Sequence, residues 1–506
     1  MKKVFLINPL SYDTRYNRFP LGIGYLAASI QSVCDVKVFD LIDHNEYKKL
    51  IASLFQENVD IIGISLTSLN IENVHSLIRE LKLIKPGAII VLGGPQATAQ
   101  PYKTLKLDIG IDYVIIGQGE EALRELVIAL SAGKTRVNIG QVLDRATLNS
   151  NDAMRTDIME CMLIDGSKYD YPMRYLPIKP KTIQQKYNLH YRPGSILTAR
   201  GCANHCSFCT VSLGKRISYA PVERVIDEIA FLHEEYGVTE LLINDADFLA
   251  YTSRAIELIK VIKQLGYIKR ICLNACVASI IKIERELDLL LNGLEWEFEV
   301  GIESVCDTQL LRYNKKAKAD QNYRALDILY NRKKKHNIKI AIDMILFDPY
   351  SEWREFEPFI SFFEQYHLNT SAYEDMVDSI VYLFPGTKIR DQAIRDGLAE
   401  DSLGSTAFRF KNEDVGRLYG CIRFFCDFVM PKVKKMRKMI NDKIFYENLP
   451  EDRIRLFQLE KKYDSILFDF FKELYYCFGD QDKMNISVDK FMDEVQFNLK
   501  KLEDGC

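Results

Sequence analysis

Long apolar runs are missing from this sequence, and with them the signature of a membrane-spanning helix, which needs about 20 consecutive apolar residues. No secretory leader is expected. The opening MKKVFLINPL has too short an apolar run and continues directly into patterned globular sequence. No membrane partner is expected, and a cytoplasmic, reducing setting is. Net charge is nearly absent, at -3 from 67 basic and 70 acidic residues, so nothing pulls the whole chain onto nucleic acid, which is not an expected partner. The local basic run MPKVKKMRKMINDK, at 430–443, reads as the solvated face of a helix. Fixed-period repeats and low-complexity tracts are lacking as well. What is present is a globular composition spread over 506 residues, more than one core fills, so two or three domains are expected.

The first part of the chain alternates short apolar runs with amphipathic segments. KKVFLINP, DVKVFDLI, VDIIGISLTS, AIIVLGGPQ and IDYVIIGQGE read as strands. LGIGYLAASIQS, EYKKLIASLFQEN and ENVHSLIRELKLIKP, which lie between them, read as helices. Continuous apolar strands alternating with helices imply a doubly wound parallel sheet, Rossmann-like, over 1–145, with ligands at the carboxyl ends of its strands. Residues 146–190 are polar and turn-rich, as a linker would be. Alternation resumes at GSILTARGC and runs through ELLINDADF, RICLNACV, WEFEVGIES, IKIAIDMILFDP and DSIVYLFPG. Six strand–helix repeats over 191–395 amount to a partial (β/α)6 barrel of TIM type. Beyond it, 396–506 reads as a mainly helical domain rich in Phe and Tyr.

Cysteine is plentiful, at 12, and in a reducing compartment these are not a disulfide framework. Nine are scattered (Cys34, Cys161, Cys272, Cys276, Cys306, Cys421, Cys426, Cys477 and Cys506) and read as small buried hydrophobes. The other three crowd into CANHCSFC at the end of a predicted strand: Cys202, Cys206 and Cys209. Four thiolates would close a zinc or iron–sulfur site, whereas three leave a position open. A zinc site would need a fourth ligand, for which His205 is badly placed. A thioredoxin-like pair would open a helix early in a small α/β domain.

With its strand context, CANHCSFC resembles the cluster motif of the radical S-adenosylmethionine (SAM) superfamily, including the aromatic Phe208 before the third cysteine. The resemblance implies a [4Fe–4S] cluster on Cys202, Cys206 and Cys209, whose fourth iron is chelated by SAM. It also implies reductive cleavage of SAM to a 5′-deoxyadenosyl radical, with a reductant such as flavodoxin or ferredoxin as a partner. Further positions follow in the superfamily's order. INDADF supplies Asp245 and Asp247, RICLNACV supplies Asn274, EVGIES supplies Glu303 and Ser304, and LFPGT supplies Phe384. The resemblance makes these, with Phe208, candidate SAM-binding residues. Taken one at a time, such Asp, Asn and Ser residues are as well explained by helix caps and turns.

The N-terminal segments PLGIGYLAASI, VDIIGISLTS, VLGGPQATAQP and DYVIIGQGEEAL resemble the cobalamin-binding domain fused to one large radical SAM class. The candidates there are Ser65, Thr67, Gly93, Gly94, Gly117, Gly119 and Glu120, mostly small residues that let strand ends approach a flat macrocycle. A DxHxxG motif is lacking, so no histidine is expected to ligate cobalt from below. The implied activity is methylation of an unactivated carbon of a small molecule or peptide, with the site between the two domains. Radical rearrangement, ring contraction or cyclisation without net methylation is the alternative within the class. A non-catalytic metal-binding or regulatory protein is the alternative outside it.

Overall fold

A computed structural model describes residues 1–10, 19–134, 137–146, 170–177, 194–211, 217–366, 379–424, 426–427 and 468–477, with five further positions placed singly between 483 and 497. Most of the expected linker, the basic run at 430–443 and much of the C-terminal helical segment lie outside the described residues.

The N-terminal sheet has the strand order β2-β1-β3-β4-β5-β6. Its strands are β1 (Lys3–Asn8), β2 (Asp35–Asp40), β3 (Ile61–Ser65), β4 (Ile89–Gly93), β5 (Tyr113–Ile115) and β6 (Val142–Asp144). The first five pair in parallel, in continuous register; β6 closes the edge antiparallel to β5 and carries no strong strand signal in the sequence. Helices α1 (Leu21–Ile30) and α6 (Glu120–Ser131) cover one face, through Ile23, Ala27, Leu123 and Leu126. Helices α2 (His44–Gln56) and α3 (Ile71–Ile84) cover the other, through Leu50, Leu54, Val74 and Ile78. Local chemistry starts one of these helices: the Asp43 carboxylate accepts from the backbone N–H groups of Asn45 and Glu46, capping α2. Two short helices, α4 (Pro95–Ala99) and α5 (Pro101–Lys106), follow β4. The strand order reverses between β1 and β3, which opens a crevice at the carboxyl ends of the strands.

The second sheet has the order β13-β12-β11-β10-β7 and is parallel throughout. Its strands are β7 (Ser195–Ile196), β10 (Glu240–Ile243), β11 (Arg270–Cys276), β12 (Glu295–Glu303) and β13 (Ile338–Met344). A two-residue hairpin, β8 (Ala199–Arg200) with β9 (Ser218–Tyr219), sits where the chain leaves β7. The expected sixth strand is reduced to a single parallel bridge, Phe347 to Ile380. The helices Val222–Tyr236 and Thr252–Leu265 end on left-handed Gly237 and Gly266, at φ 66° and 76°.

The described C-terminal residues pack onto the outside of this barrel. Val415, Leu418, Ile422, Phe470 and Phe471 join the barrel's own core, and Tyr475 stacks on Trp353 at 5.0 Å. No helix among the described residues is long and apolar enough to cross a membrane.

Candidate functional site

The two sheets face each other across one cavity of about 640 Å3. Its N-terminal wall comes from strand ends, including Leu6 of β1, Ser65 of β3, Gly93 and Gly94 after β4, and Gly117, Gly119 and Glu120 after β5. The opposite wall is the mouth of the barrel: Leu197, Ala199, Arg200, Gly201, Thr210, Asn244, Ala246 and Asn274. Six of the seven residues expected to meet cobalamin therefore line one cavity. Thr67 does not. Its hydroxyl accepts from the backbone N–H of Leu69 at 3.3 Å, a local turn contact. Thr98, which the sequence reading missed, takes the place on the rim. Its hydroxyl accepts the N–H of Gly117 at 2.9 Å and donates to the Gly94 carbonyl at 2.9 Å, joining the loops after β4 and β5.

The wall is kept thin by glycine. Gly94 sits at φ 104°, and a Cβ there would lie 2.8 Å from the Leu66 carbonyl oxygen. Gly22, on the same cavity, has open space where a side chain would project.

Cys202, Cys206 and Cys209 lie on the loop leaving β8, each half-buried. Burial pushes the Cys206 thiol up to about 11; Lys315 opposes this, and Cys209 and Cys202 add to it. Among the described residues no three His, Cys, Asp or Glu side chains are gathered around a single point. Thiolates that ligate separate irons need not converge on one point.

The loop is held from outside by the turn 312–316, RYNKK, which no sequence signal singled out. Ser207 donates its N–H to the Tyr313 carbonyl and its hydroxyl to the Arg312 carbonyl, both at 2.9 Å. The Asn314 amide donates to the His205 carbonyl at 2.7 Å, and Lys316 Nζ to the Ala203 carbonyl at 3.3 Å. Asn314 occupies φ 53°, a left-handed conformation that asparagine tolerates. Arg312 is itself fixed by Asp348 and Glu355, each at 2.8 Å. Phe208 packs edge-on to Tyr313 at 5.4 Å, within an apolar cluster that includes Leu383 and Ile389.

The expected SAM-binding residues divide. Asn274 lines the cavity while its amide donates to the Asp245 carbonyl at 3.0 Å. Asp247 accepts from the Ser279 hydroxyl at 2.7 Å and the Cys276 N–H at 3.3 Å; burial raises its pKa against those bonds. Glu303 ends β12 at φ 64°, beside a register shift, and pairs with Lys315 at 3.4 Å. Burial also raises the Glu303 pKa, with Lys315 opposing. Phe384 is half-buried and stacks on Tyr382 at 5.6 Å.

Two residues are placed otherwise than expected. The carboxylate of Asp245, 2% exposed, accepts from the N–H groups of Thr198 and Ala199, at 2.7 and 2.9 Å, and from the Thr198 hydroxyl. It anchors the start of the cluster loop instead of facing the cavity, and burial lifts its pKa to about 6. Ser304 is buried, and its hydroxyl accepts from the Cys306 N–H at 3.0 Å, a turn bond ahead of the helix Asp307–Arg312. Cys276, read as packing, instead stands at the end of β11, where its sulfur accepts from the Asn204 amide at 3.3 Å.

A parallel-sheet domain set against a partial barrel, with small residues on one wall and a three-cysteine loop on the other, defines a two-cofactor architecture. Residues 13–127 match the B12 binding domain, and residues 196–362 match the radical SAM superfamily. The chain is a radical SAM protein carrying a B12-binding domain. The cofactors of these two domains are cobalamin, a [4Fe–4S] cluster and SAM.

Over 252 residues the chain is 34% identical to an uncharacterized methyltransferase of Pyrococcus horikoshii, a match covering 49% of this chain and 53% of that protein. Over 315 residues it is 27% identical to cytidylyl-2-hydroxyethylphosphonate methyltransferase of Streptomyces wedmorensis, covering 52% and 58%. The chain thus spans little more than half the length of these relatives. A 23% match covers 61% of the chain and 56% of the anaerobic magnesium-protoporphyrin IX monomethyl ester cyclase of Rubrivivax gelatinosus. The fold is that of the cobalamin-dependent SAM radical enzyme OxsB, solved with aqua-cobalamin and SAM: TM-score 0.74, 16% identity, 100% of this chain and 80% of that one.

The residues present fit these groups. Gly22 leaves open space on the cavity that a Cβ would enter, and the three-thiol loop suits a cluster with one open iron.

Proposed function

We propose that this protein methylates an unactivated carbon of a small molecule or peptide, as a cobalamin-dependent radical SAM enzyme. The observation that carries this reading is the shared cavity, whose two walls are the strand ends of the B12-binding domain and the mouth of the radical SAM barrel. When bound, the cluster supplies the electron for SAM cleavage, and cobalamin supplies the methyl group. The residues of this chain would bind, orient and exclude water. Cys202, Cys206 and Cys209 hold the cluster. Asn274, Asp247, Glu303 and Phe384 surround SAM, with Asp245 and Ser304 acting through the loops they fix. Ser65, Gly93, Gly94, Gly117, Gly119 and Glu120 form the cobalamin wall, with Thr67 behind it. The working units are 1–145, 191–395 and the C-terminal cover 396–506, and a flavodoxin or ferredoxin is the electron donor.

The likeness to a cyclase favours one second reading, radical cyclisation or rearrangement without net methyl transfer. Methyl incorporation from labelled SAM separates the two. The first test is anaerobic reconstitution with iron and sulfide. The wild type should show [4Fe–4S] absorption and retain cobalamin, and Cys206→Ala should lose the cluster. A cluster that survives Cys206→Ala would sink the assignment.

A further inference from the structure

Arg200 lies two residues before Cys202, on β8, and its guanidinium leaves its own domain altogether. Nη2 pairs with the Glu120 carboxylate at 2.7 Å and Nη1 donates to Gln118 Oε1 at 2.6 Å. The guanidinium carbon lies 4.8 Å from the ring centre of Tyr25. All three partners belong to the N-terminal domain: Tyr25 on α1, Gln118 in the loop after β5, and Glu120 at the start of α6. The pair is nearly dry, with side-chain exposures of 11% for Arg200 and 12% for Glu120. Losing one partner of so dry a pair leaves the other charge uncompensated, which makes the contact costly to break.

Each end of this contact is fixed inside its own domain. The β8 backbone pairs with β9, and Asp245 holds the N–H of Ala199 next to it. On the other side, Thr98 holds the N–H of Gly117, and the Gln141 amide donates to the Gln118 carbonyl at 3.0 Å. The guanidinium therefore joins two preorganised loops, one walling the cavity on the cobalamin side and one leading into the cysteines. Gly201, at φ 86°, is the one residue between Arg200 and Cys202.

We propose that Arg200 is a positioning residue that sets the spacing between the cobalamin wall and the cluster loop, through its fork onto Gln118 and Glu120. This rests on the proposed function for its purpose, though not for its geometry. Lysine keeps the charge but cannot bridge a carboxylate and an amide with one planar group, so Arg200→Lys should reproduce much of the loss.

The test has two stages. In the cofactor-free full chain, hydrogen exchange of Arg200→Lys and Arg200→Gln is compared with wild type. Faster exchange is expected in both 117–121 and 199–211, two loops about 80 residues apart in sequence; a change confined to one loop overturns the clamp. In chains loaded with cobalamin in its Co(II) state and a reduced cluster, pulsed electron paramagnetic resonance reads the coupling between the two centres. A single coupling in wild type should broaden or be lost in either variant, read in samples matched for iron and cobalamin content. Gln118→Leu removes the acceptor from the other domain and should broaden the coupling too. A loaded variant with the wild-type coupling overturns the proposal. Absence of one centre from wild type would count against the proposed function, while the exchange experiment would still decide the role of Arg200.

Discussion

At the residue scale, burial decides which polar groups serve the site and which serve the fold. Asp245 and Asp247 come from one hexapeptide, INDADF, and look equivalent in sequence. Two positions apart, they meet different neighbours: Asp245 is saturated by the chain at 198–199, whereas Asp247 stands beside Cys276 at the end of β11. Nothing local distinguishes them, because the difference lies in donors 47 and 29 residues away. Glu228 is a harsher case and was invisible in the sequence. It is 4% exposed on the helix Val222–Tyr236, and burial lifts its pKa to about 7, with Arg224 only partly opposing. A carboxyl whose folded pKa exceeds its unfolded value contributes stability that is fully present below about pH 4.5 and lost as pH rises through about 7. Wild type should therefore lose stability relative to Glu228→Gln between pH 5 and 8. The upper limit of this loss is about 2–3 kcal/mol, because Arg224, 3.7 Å away, gives up its counter-charge in the variant. Denaturant midpoints of both chains at the two pH values measure it.

At the scale of elements, alternation was legible, and two short edge segments were not. Four of the five parallel strands of the first sheet carry continuous apolar runs, as strands covered on both faces must, while β2 on the edge alternates, with Asp35 and Lys37 exposed. Strand β6 is three residues on an antiparallel edge and has no such run to betray it. The sixth barrel segment failed as a strand for a similar reason, since it meets its neighbour through one bridge only. Glycine at the strand ends gives this scale its prediction. Gly94→Ala would force a Cβ to within 2.8 Å of the Leu66 carbonyl at φ 104°, at a cost of about 1–3 kcal/mol. It should lower both the melting temperature and the cobalamin retained per chain after reconstitution. Gly22→Ala, whose new methyl meets open cavity, should leave the melting temperature within the range of ordinary surface changes.

At the scale of the whole molecule, two sets of polar side-chain contacts among the described residues tie the N-terminal domain to the rest of the chain. One is the Arg200 fork on the cavity side. The other joins α4–α5 to the segment 401–404. The Gln100 amide donates to the Ser402 carbonyl at 3.0 Å and accepts the N–H of Gly404 at 3.0 Å, and Lys103 pairs with Asp401 at 2.7 Å. Buried Arg390 holds the same segment from the barrel side, donating to the Ser402 carbonyl at 2.6 Å. Gly404, at φ 81°, lies so close that a Cβ would come 2.5 Å from Ile71 of α3. Gly404→Ala should thus cost about 1–2 kcal/mol of backbone strain and loosen this tie. Faster hydrogen exchange over 96–106, with the cluster loop unchanged, is the expected reading. Because small displacements of reacting groups can cost about 100-fold in rate, such ties would bear on the proposed reaction without touching a cofactor.

The sequence by itself determined the two sheets, the domain order and the three-thiol loop. Apolar period, glycine placement and cysteine spacing are local, and backbone geometry leaves few ways to satisfy them. Tertiary structure alone decided that Asp245 and Ser304 are spent on loops, that Thr98 replaces Thr67 on the cavity rim, and that RYNKK cradles the cysteines. It also decided that Arg200 crosses between domains. Those outcomes depend on which donors and acceptors meet after the chain has brought distant segments together, and a polar side chain carries no record in sequence of the partner that will satisfy it. CANHCSFC carries its expectation of a cluster in its spacing, and only the packing of two domains showed which residues stand opposite its loop.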